Sequence, residues 1–268
     1  MNFIWKNGKF HEGNQALSIR DRALRGDGVF DTMLCIDGSP IQINTHTQRL
    51  IDHAKTLGIQ TPSSAPDLTR HIHETIAKNG ATSGHHCINT TITRGEAQRG
   101  LKTPTQSAPT IIIHITPLPS NTAPPPINAI IANTTRRNEF SPLSQIKSLN
   151  YGDNILSMIQ AETSGANETI MLNTQGNATC FTSGNLFALI DNQLTTPPLT
   201  DGVMNGIIRK KWLETSKATE RSLSTDDLKN VQNLFLTNSI RGIVPIHTLN
   251  GKTLPQSDFP FDPHIHLR

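Results

Sequence analysis

Residues 116–126, TPLPSNTAPPP, hold five prolines in eleven positions. Proline fixes φ and lacks an amide proton, so the run excludes a helix and the middle of a sheet. It follows TIIIHI, a compact apolar run that reads as a buried strand. The chain is thereby divided into an N-terminal domain over 1–115, a Pro-rich linker over 116–126 and a C-terminal domain over 127–268. Its 268 residues are enough to bury a core on either side of the break.

The first half opens with hairpin signals. FIWKNGKF carries an Asn-Gly turn, and VFDTMLCIDGSPIQI carries Asp37-Gly38 between apolar runs. INTHTQRLIDHAKTLGI then reads as a helix capped by Asn44 or Thr45, with Leu50, Ala54 and Leu57 on one side and Gly58 as its stop. A second helix is predicted over 66–79, with Leu68, Ile72 and Ile76 four apart and Asn79-Gly80 behind them. Strands resume at HHCINTTITRG and TIIIHI. In the second half INAIIAN, ETIMLN, LFALI and NLFLTN read as strands, NLFLTN being the last clear one. Thr174 to Asn177 form the turn between ETIMLN and LFALI. Helices are expected after Lys147, through Tyr151, Ile155, Met158, Ile159 and Glu162, and from Gly206, with Ile208 and Trp212 on one side. Strands and helices mixed in both halves predict an α/β or α+β protein.

Several functions are excluded by simple counts. Lys plus Arg is 24 and Asp plus Glu is 21, a net charge of +3 that is no nucleic-acid footprint. No run approaches the roughly 20 apolar residues of a membrane span, and MNFIWKNGKF lacks the charged head and apolar body of a secretory signal. Cys35, Cys87 and Cys180 are too few and too scattered for a disulfide framework or a zinc site, and fit free thiols in a reducing compartment. The expectation is a cytoplasmic protein that engages neither membrane nor nucleic acid. The pairs His71/His73, His85/His86 and His264/His266 lack ligand company at metal spacing, so no metal is expected. There is no G-x-S-x-G elbow, no dinucleotide fingerprint and no P-loop.

Six weaker segments remain. Arg25-Gly26-Asp27-Gly28-Val29-Phe30-Asp31-Thr32 sets two glycines around an aspartate, which permits a tight backbone approach before a strand. His46-Thr47-Gln48-Arg49-Leu50 puts an arginine near a helix start, where its planar fork suits a phosphate. In Ile146-Lys147-Ser148-Leu149-Asn150-Tyr151 a lysine is flanked by Ile146 and Leu149 and stands ahead of the only tyrosine; a semi-buried neutral amine can form a Schiff base with an aldehyde. Asn177 to Phe187 is a small polar loop running into a strand. Asp201 to Arg209 leads into a helix whose first amides make an anion site. Thr237 to Ile246 is a strand ending in a polar loop.

In this order and at these separations the segments resemble the class IV, fold-type IV pyridoxal-phosphate enzymes: branched-chain aminotransferase, D-amino-acid aminotransferase and 4-amino-4-deoxychorismate lyase. The resemblance runs from about Arg20 to Ile246. It implies a small N-terminal α/β domain, a larger C-terminal pseudo-barrel domain that binds the cofactor, and a homodimer. It implies pyridoxal 5'-phosphate as cofactor and a small-molecule amine carrying one or more carboxylates as substrate. Lys147 matches the Schiff-base lysine, which also moves the substrate proton. Arg49 matches the phosphate-binding arginine. The amides of Ile207 and Ile208 and the loop Asn238, Ser239 and Ile240 match the rest of the phosphate cup. Relatives often carry Thr where Ile208 stands, so one hydroxyl contact is missing. Tyr151 matches a partner of the cofactor's phenolic oxygen, and Asn185 a structural position.

One departure bears on mechanism. Cys180 stands where relatives carry the glutamate that keeps the pyridine nitrogen protonated. A thiol is a weak hydrogen-bonding group unless ionised, so the ring is a weaker electron sink. Within the family, Phe30 in Gly-Asp-Gly-Val-Phe-Asp-Thr and the loop Thr93-Arg94-Gly95-Glu96-Ala97-Gln98-Arg99-Gly100 resemble the deoxychorismate lyases. There Arg94 and Arg99 suit a dicarboxylate, and Thr32 is placed to protonate the leaving group. The expected activity is therefore that lyase, which releases pyruvate and 4-aminobenzoate in folate precursor synthesis. The alternatives are an aminotransferase acting on D- or branched-chain amino acids, and a catalytically idle homologue that binds the cofactor or a metabolite.

Overall fold

In the computed structural model of the chain, residues 2–13, 17–105, 108–119, 126–255 and 259–267 are described. Packing divides it into two compact units. One is Met1–Thr122 with Ile146–Asn150; the other is Ala123–Gln145 with Tyr151–Arg268. Lys147 therefore belongs to the first unit, although it lies in the second half of the sequence. The expected linker starts inside a strand, and its residues 120–125 lie outside the described residues.

The first unit begins with strands β1 (Phe3–Lys6) and β2 (Lys9–Glu12), joined through Asn7 and Gly8. Strand β3 (Gly28–Ile36) turns through Asp37 and Gly38 into β4 (Ser39–Pro40). All four turn residues have positive φ, as a two-residue type I′ hairpin requires. Helices α1 (Ile43–Thr56) and α2 (Ala65–Asn79) follow, then strands β5 (His85–Thr93) and β6 (Thr110–Leu118). The sheet order is β2-β1-β6-β5-β3-β4, antiparallel throughout.

Side chains alternate across a strand, and this sheet uses its two faces differently. Val29, Met33, Ile88, Ile92, Ile111 and Ile113 pack against Leu50 and Ala54 of α1 and Leu68, Ile72 and Ile76 of α2. Each such side chain contributes about 2 kcal/mol by leaving water. Phe30, Thr32, Asn89, Thr91 and His114 lie on the opposite face and are half-buried. In α2 the Ser64 hydroxyl and the Asp67 carboxylate form a reciprocal capping box, and Gly80 ends the helix with φ +61°.

Two local expectations are corrected here. Helix α1 starts one residue before Asn44, with Gln42 at its N-cap in a left-handed conformation and no side-chain cap. The Ile41 amide is bonded to the Leu34 carbonyl and Gln42 turns the chain directly into the helix, so Asn44 and Thr45 already lie inside its first turn. Pro117 lies within β6, opposite His86 of β5. β1 pairs with β6 only at Ile112 and Ile113, so at Pro117 β6 is locally an edge, where a missing amide proton is tolerated.

The second unit contains strand β7 (Ile127–Ile131), helix α3 (Gly152–Thr163) and strands β8 (Glu168–Leu172), β9 (Ala178–Phe181), β10 (Asn185–Ile190) and β11 (Gln193–Thr196). Helix α4 (Ile207–Thr215), strand β12 (Thr219–Glu220), helix α5 (Thr225–Lys229) and strands β13 (Asn233–Asn238), β14 (Gly242–Leu249) and β15 (Lys252–Thr253) complete it. Six strands run β10-β13-β14-β7-β8-β9, and the pairing of Cys180 with Asn185 joins β9 back to β10. The ring so closed is the pseudo-barrel that the family resemblance implied. Phe187, Phe235, Ile207, Ile208 and Trp212 form the core that fixes α4 on this sheet.

β9 and β14 are strands beyond the sequence expectation. The turn at 174–177 leads into β9, so the segment expected as a polar loop is in part a closing strand of the ring. In α3 the buried residues are Ser157 and Ala161, while Ile155 and Ile159 are exposed within the chain. Among the described residues no helix is long and apolar enough to cross a membrane, and no group of three or more His, Cys, Asp or Glu is set to hold a metal ion.

Candidate active site

Lys147 is presented by an improvised strand. The Phe30 amide donates to the Lys147 carbonyl (2.9 Å) and the Leu149 amide to the Gly28 carbonyl (2.9 Å), with Val29 bridged to Ser148. Residues 147–149 thus line the edge of β3. Alternation sends Ser148 toward the core and sets Lys147 on the face of Phe30. Its Nζ lies 4.0 Å from the Phe30 ring centroid, a cation–π distance. The two glycines make the approach possible. A Cβ on Gly28 would stand 2.7 Å from the Ile92 carbonyl oxygen and 2.8 Å from Leu149 Cδ1, and one on Gly26 would meet Asn150 Oδ1 at 2.6 Å.

Helix α1 aligns His46, Arg49 and His53 toward the same edge. Arg49 donates from Nε to Asp31 Oδ2 (2.8 Å) and from Nη2 to Asp31 Oδ1 (2.7 Å). His46 Nδ1 meets Asp31 Oδ1 at 2.8 Å. Burial pushes the Asp31 carboxyl up, but Arg49 and His46 together outweigh it and hold the group well below the usual carboxylate range. A guanidinium has five N–H donors. Two are engaged by Asp31, and the other three have no acceptor among the described residues. His53 Nδ1 accepts the Lys147 amide (3.1 Å). Burial, and then the positive charge of Arg49, push His53 down to about 4, so it is a neutral acceptor near pH 7.

Thr32 lies two residues along β3 from Phe30, on the same face. Thr32 pairs with Asn89 and Phe30 with Thr91 across β5, and Asn89 pairs with His114 across β6. Burial lowers His114 below its ordinary value and raises the thiol of Cys87 above its own. Arg94 is held by the scaffold. Its Nε donates to Asp27 (2.8 Å) and its Nη atoms donate to the Gly58 and Leu57 carbonyls (3.2 and 2.7 Å), where α1 ends. A half-buried carboxylate and the carbonyls of a helix end therefore occupy the guanidinium expected to meet substrate. Arg99 is exposed and lines a hollow of about 570 Å³ with Arg20, Arg22, Leu24 and Arg25.

In the second unit, α4 begins at Ile207 behind Gly206. The first amides of a helix have no acceptor within it, and a glycine N-cap offers none from a side chain. A Cβ on Gly206 would come within 2.1 Å of Asn185 Oδ1, so the backbone there stays bare. Asn185 Nδ2 donates to the Met204 carbonyl (2.8 Å) while its backbone pairs with Thr237, which brings the α4 start and the loop after β13 to one end of the sheet. Thr237 is 1% exposed, and its hydroxyl has no hydrogen-bond partner among the described residues. In that loop Asn238 Oδ1 already accepts the amides of Ile240 (3.1 Å) and Arg241 (2.8 Å), and Asn238 Nδ2 donates to the Ser183 carbonyl (3.2 Å). The Ile240 amide is thus engaged within the loop, and Ser239 lies between the engaged positions. Tyr151 is the N-cap residue of α3. Cys180 is buried on β9, with its Sγ 3.6 Å from the Thr179 hydroxyl, which donates to the Met171 carbonyl at 2.9 Å.

The family model described as amino-transferase class IV matches residues 28–249. The chain belongs to this family. It is 30% identical, over 94% of its length and 89% of the other, to a putative branched-chain-amino-acid aminotransferase of Methanocaldococcus jannaschii. It is 27% identical, over 92% of its length and 88% of the other, to a D-alanine aminotransferase of Bacillus licheniformis. The solved structure of a putative 4-amino-4-deoxychorismate lyase from Legionella pneumophila superposes with a TM-score of 0.85 at 28% identity, covering 92% of each chain. Class IV relatives thus include both transferases and lyases.

The class IV chain carries what an aldehyde bearing a phosphate needs. In the first unit Lys147 is a half-buried amine on an aromatic face and Arg49 has donors that Asp31 does not engage; the second unit, taken by itself, has a helix start with a glycine N-cap and a buried Thr237 hydroxyl without a partner among the described residues. Sequence reasoning missed Asp31, His53 and Asn89. Period-two alternation along β3 and β5 does set Asn89 and Thr91 on the face of Thr32, but only the strand register makes that visible.

Proposed function

We propose that the chain is a pyridoxal 5'-phosphate enzyme and that its reaction is the conversion of 4-amino-4-deoxychorismate to 4-aminobenzoate and pyruvate. When bound, the cofactor supplies an aldehyde that condenses with an amine and a ring that takes up electron density from the adjacent carbon. Lys147 would hold the aldehyde and Arg49 would take a phosphate charge. In the second unit the amides of Ile207 and Ile208, Asn238 and Ser239 would receive phosphate oxygens, and Tyr151 would meet the phenolic oxygen.

Lys147 Nζ then removes the proton at the amine-bearing ring carbon. The C–O bond to the enolpyruvyl group breaks, the ring becomes aromatic, and Thr32 Oγ1 returns a proton to the departing group, which leaves as pyruvate. Phe30 flanks the reacting amine, and Arg99 is the arginine available to a substrate carboxylate. The observation that carries this reading is the Thr32 hydroxyl on the same sheet face as Lys147 and Phe30. Amino transfer expels no group that needs such a donor. An elimination driven by aromatisation also makes less demand on a protonated pyridine, for which Cys180 provides no carboxylate.

The reading is tested by incubating the loaded protein with aminodeoxychorismate and no keto acid. Pyruvate and 4-aminobenzoate are expected in equal amounts. Glutamate formation from 2-oxoglutarate and an amino donor, without pyruvate release, would establish the aminotransferase instead. The 30% identity to the putative branched-chain enzyme favours that second reading.

A further inference from the structure

On the face that carries Lys147, three polar side chains form one directed chain of hydrogen bonds. Thr91 Oγ1 donates to Asn89 Oδ1 (3.1 Å), and Asn89 Nδ2 donates to Thr32 Oγ1 (3.2 Å). Strand pairing fixes the order, since Thr32 stands opposite Asn89 and Phe30 opposite Thr91. Thr32 is also anchored through its backbone, where its amide donates to Asp31 Oδ1 (2.7 Å).

A hydroxyl has one proton and two lone pairs, whereas an amide nitrogen only donates. With Asn89 Nδ2 on one lone pair, the Thr32 proton cannot be given to Asn89. Thr91 holds this polarity, because its proton on Oδ1 keeps the carbonyl end of the amide away from Thr32. The Thr32 proton is left to point at another acceptor on the face, two positions along β3 from the ring that carries Lys147 Nζ.

We propose that Asn89, oriented by Thr91, is a positioning residue that holds Thr32 Oγ1 as a proton donor toward the oxygen-bearing leaving group of the substrate. The assignment rests on the lyase reading. The proton balance is complete: Lys147 Nζ takes the ring proton, Thr32 gives its own to the enolpyruvyl group, and the proton gained by Lys147 is released to water, which reprotonates Thr32.

Asn89→Asp is the informative variant, because it keeps the shape and replaces the donor by an acceptor. Its carboxylate draws the Thr32 proton to itself, so kcat for pyruvate release falls by about 10²-fold, the usual worth of a positioned acid, while KM changes less than about threefold, since uniform binding is untouched. Thr32→Val removes the hydroxyl and gives a comparable loss. In the Thr32→Val background, Asn89→Asp then costs little more, because residues acting as a unit are not additive.

A second readout needs no turnover. In the ligand-free protein the side-chain amide resonance of Asn89, identified by its absence in Asn89→Asp, shifts on Thr32→Val. Independent, multiplying losses in the double variant, or an amide resonance indifferent to Thr32→Val, would overturn the role of Asn89 and leave the lyase reading intact. A wild-type protein that releases no pyruvate would overturn the lyase reading and this role with it.

Discussion

Arg49 and Asp31 form a two-point ion pair in which the carboxylate has no exposed surface and the guanidinium keeps a small exposed margin. The helix supplies the cation and the sheet supplies the anion. The pair therefore ties α1 to β3 at the edge that also carries Lys147, and holds the remaining Arg49 donors in one orientation. A planar fork fixed at two points loses less freedom on meeting a phosphate than a free side chain does.

Asp31→Asn leaves Arg49 without its counter-charge in a mostly buried position. Breaking such a pair from one side costs about 3–5 kcal/mol. Urea unfolding is expected to show a loss of this order, with weaker binding of pyridoxal 5'-phosphate by equilibrium dialysis. Unchanged stability would mean that the pair does not hold α1 to β3.

The acid limb of stability follows from the same pair. Asp31 has a folded-state value far below its unfolded one, so its contribution is complete above the unfolded value of about 4. It declines as the pH falls further. Asp31→Asn should therefore remove part of the acid sensitivity seen by circular dichroism below pH of about 4, and none of the behaviour near neutrality.

His53 acts in a different window. Its folded-state value of about 4 lies below its ordinary 6.5. Between these values the unfolded chain binds more protons than the folded one, so stability rises with pH across the interval and is flat above it. His53→Asn keeps an acceptor for the Lys147 amide and removes the titration. The difference between wild type and variant should change across this window and stay constant above pH of about 7.

Gly28→Ala is expected to act at a distance. The added methyl meets the Ile92 carbonyl and Leu149 Cδ1 inside contact range. Overpacking of this kind costs about 1–3 kcal/mol, and the side free to give way is the segment 147–149. Borohydride reduction of the loaded wild type should fix a phosphopyridoxyl group on Lys147 by mass spectrometry. Lys147→Ala should take none, and Gly28→Ala should take less than wild type while remaining folded.

Cys180→Glu places a carboxylate where the family resemblance implies one. Amino transfer to 2-oxoglutarate, measured in single turnovers, should become faster. An unchanged or lower rate would show that the thiol or another group already serves the pyridine nitrogen.

The two Xaa-Gly hairpins, the stops at Gly58 and Gly80 and the helix starting behind Gly206 were legible because each depends on backbone preferences within a few residues. β9 was not, since Ala178-Thr179-Cys180-Phe181 has no clean alternation and becomes a strand only when β8 and β10 pair with it. The helix cap expected at Asn44 or Thr45 failed for a similar reason: a sheet bond at Ile41 decides where the chain is released into α1.

The order of the six segments by itself identified the family and singled out Lys147 and Arg49 as the residues proposed to hold the cofactor, because the spacing of chemistry-bearing residues is a property of the chain. Which partner each side chain takes was decided only in three dimensions. Arg49 and Arg94 read alike as sequence, yet the first closes on Asp31 with donors to spare and the second is held by Asp27 and the end of α1. Charge pairing and hydrogen bonding act over a few ångströms between residues far apart in the chain, so their outcome is set by strand register and helix docking.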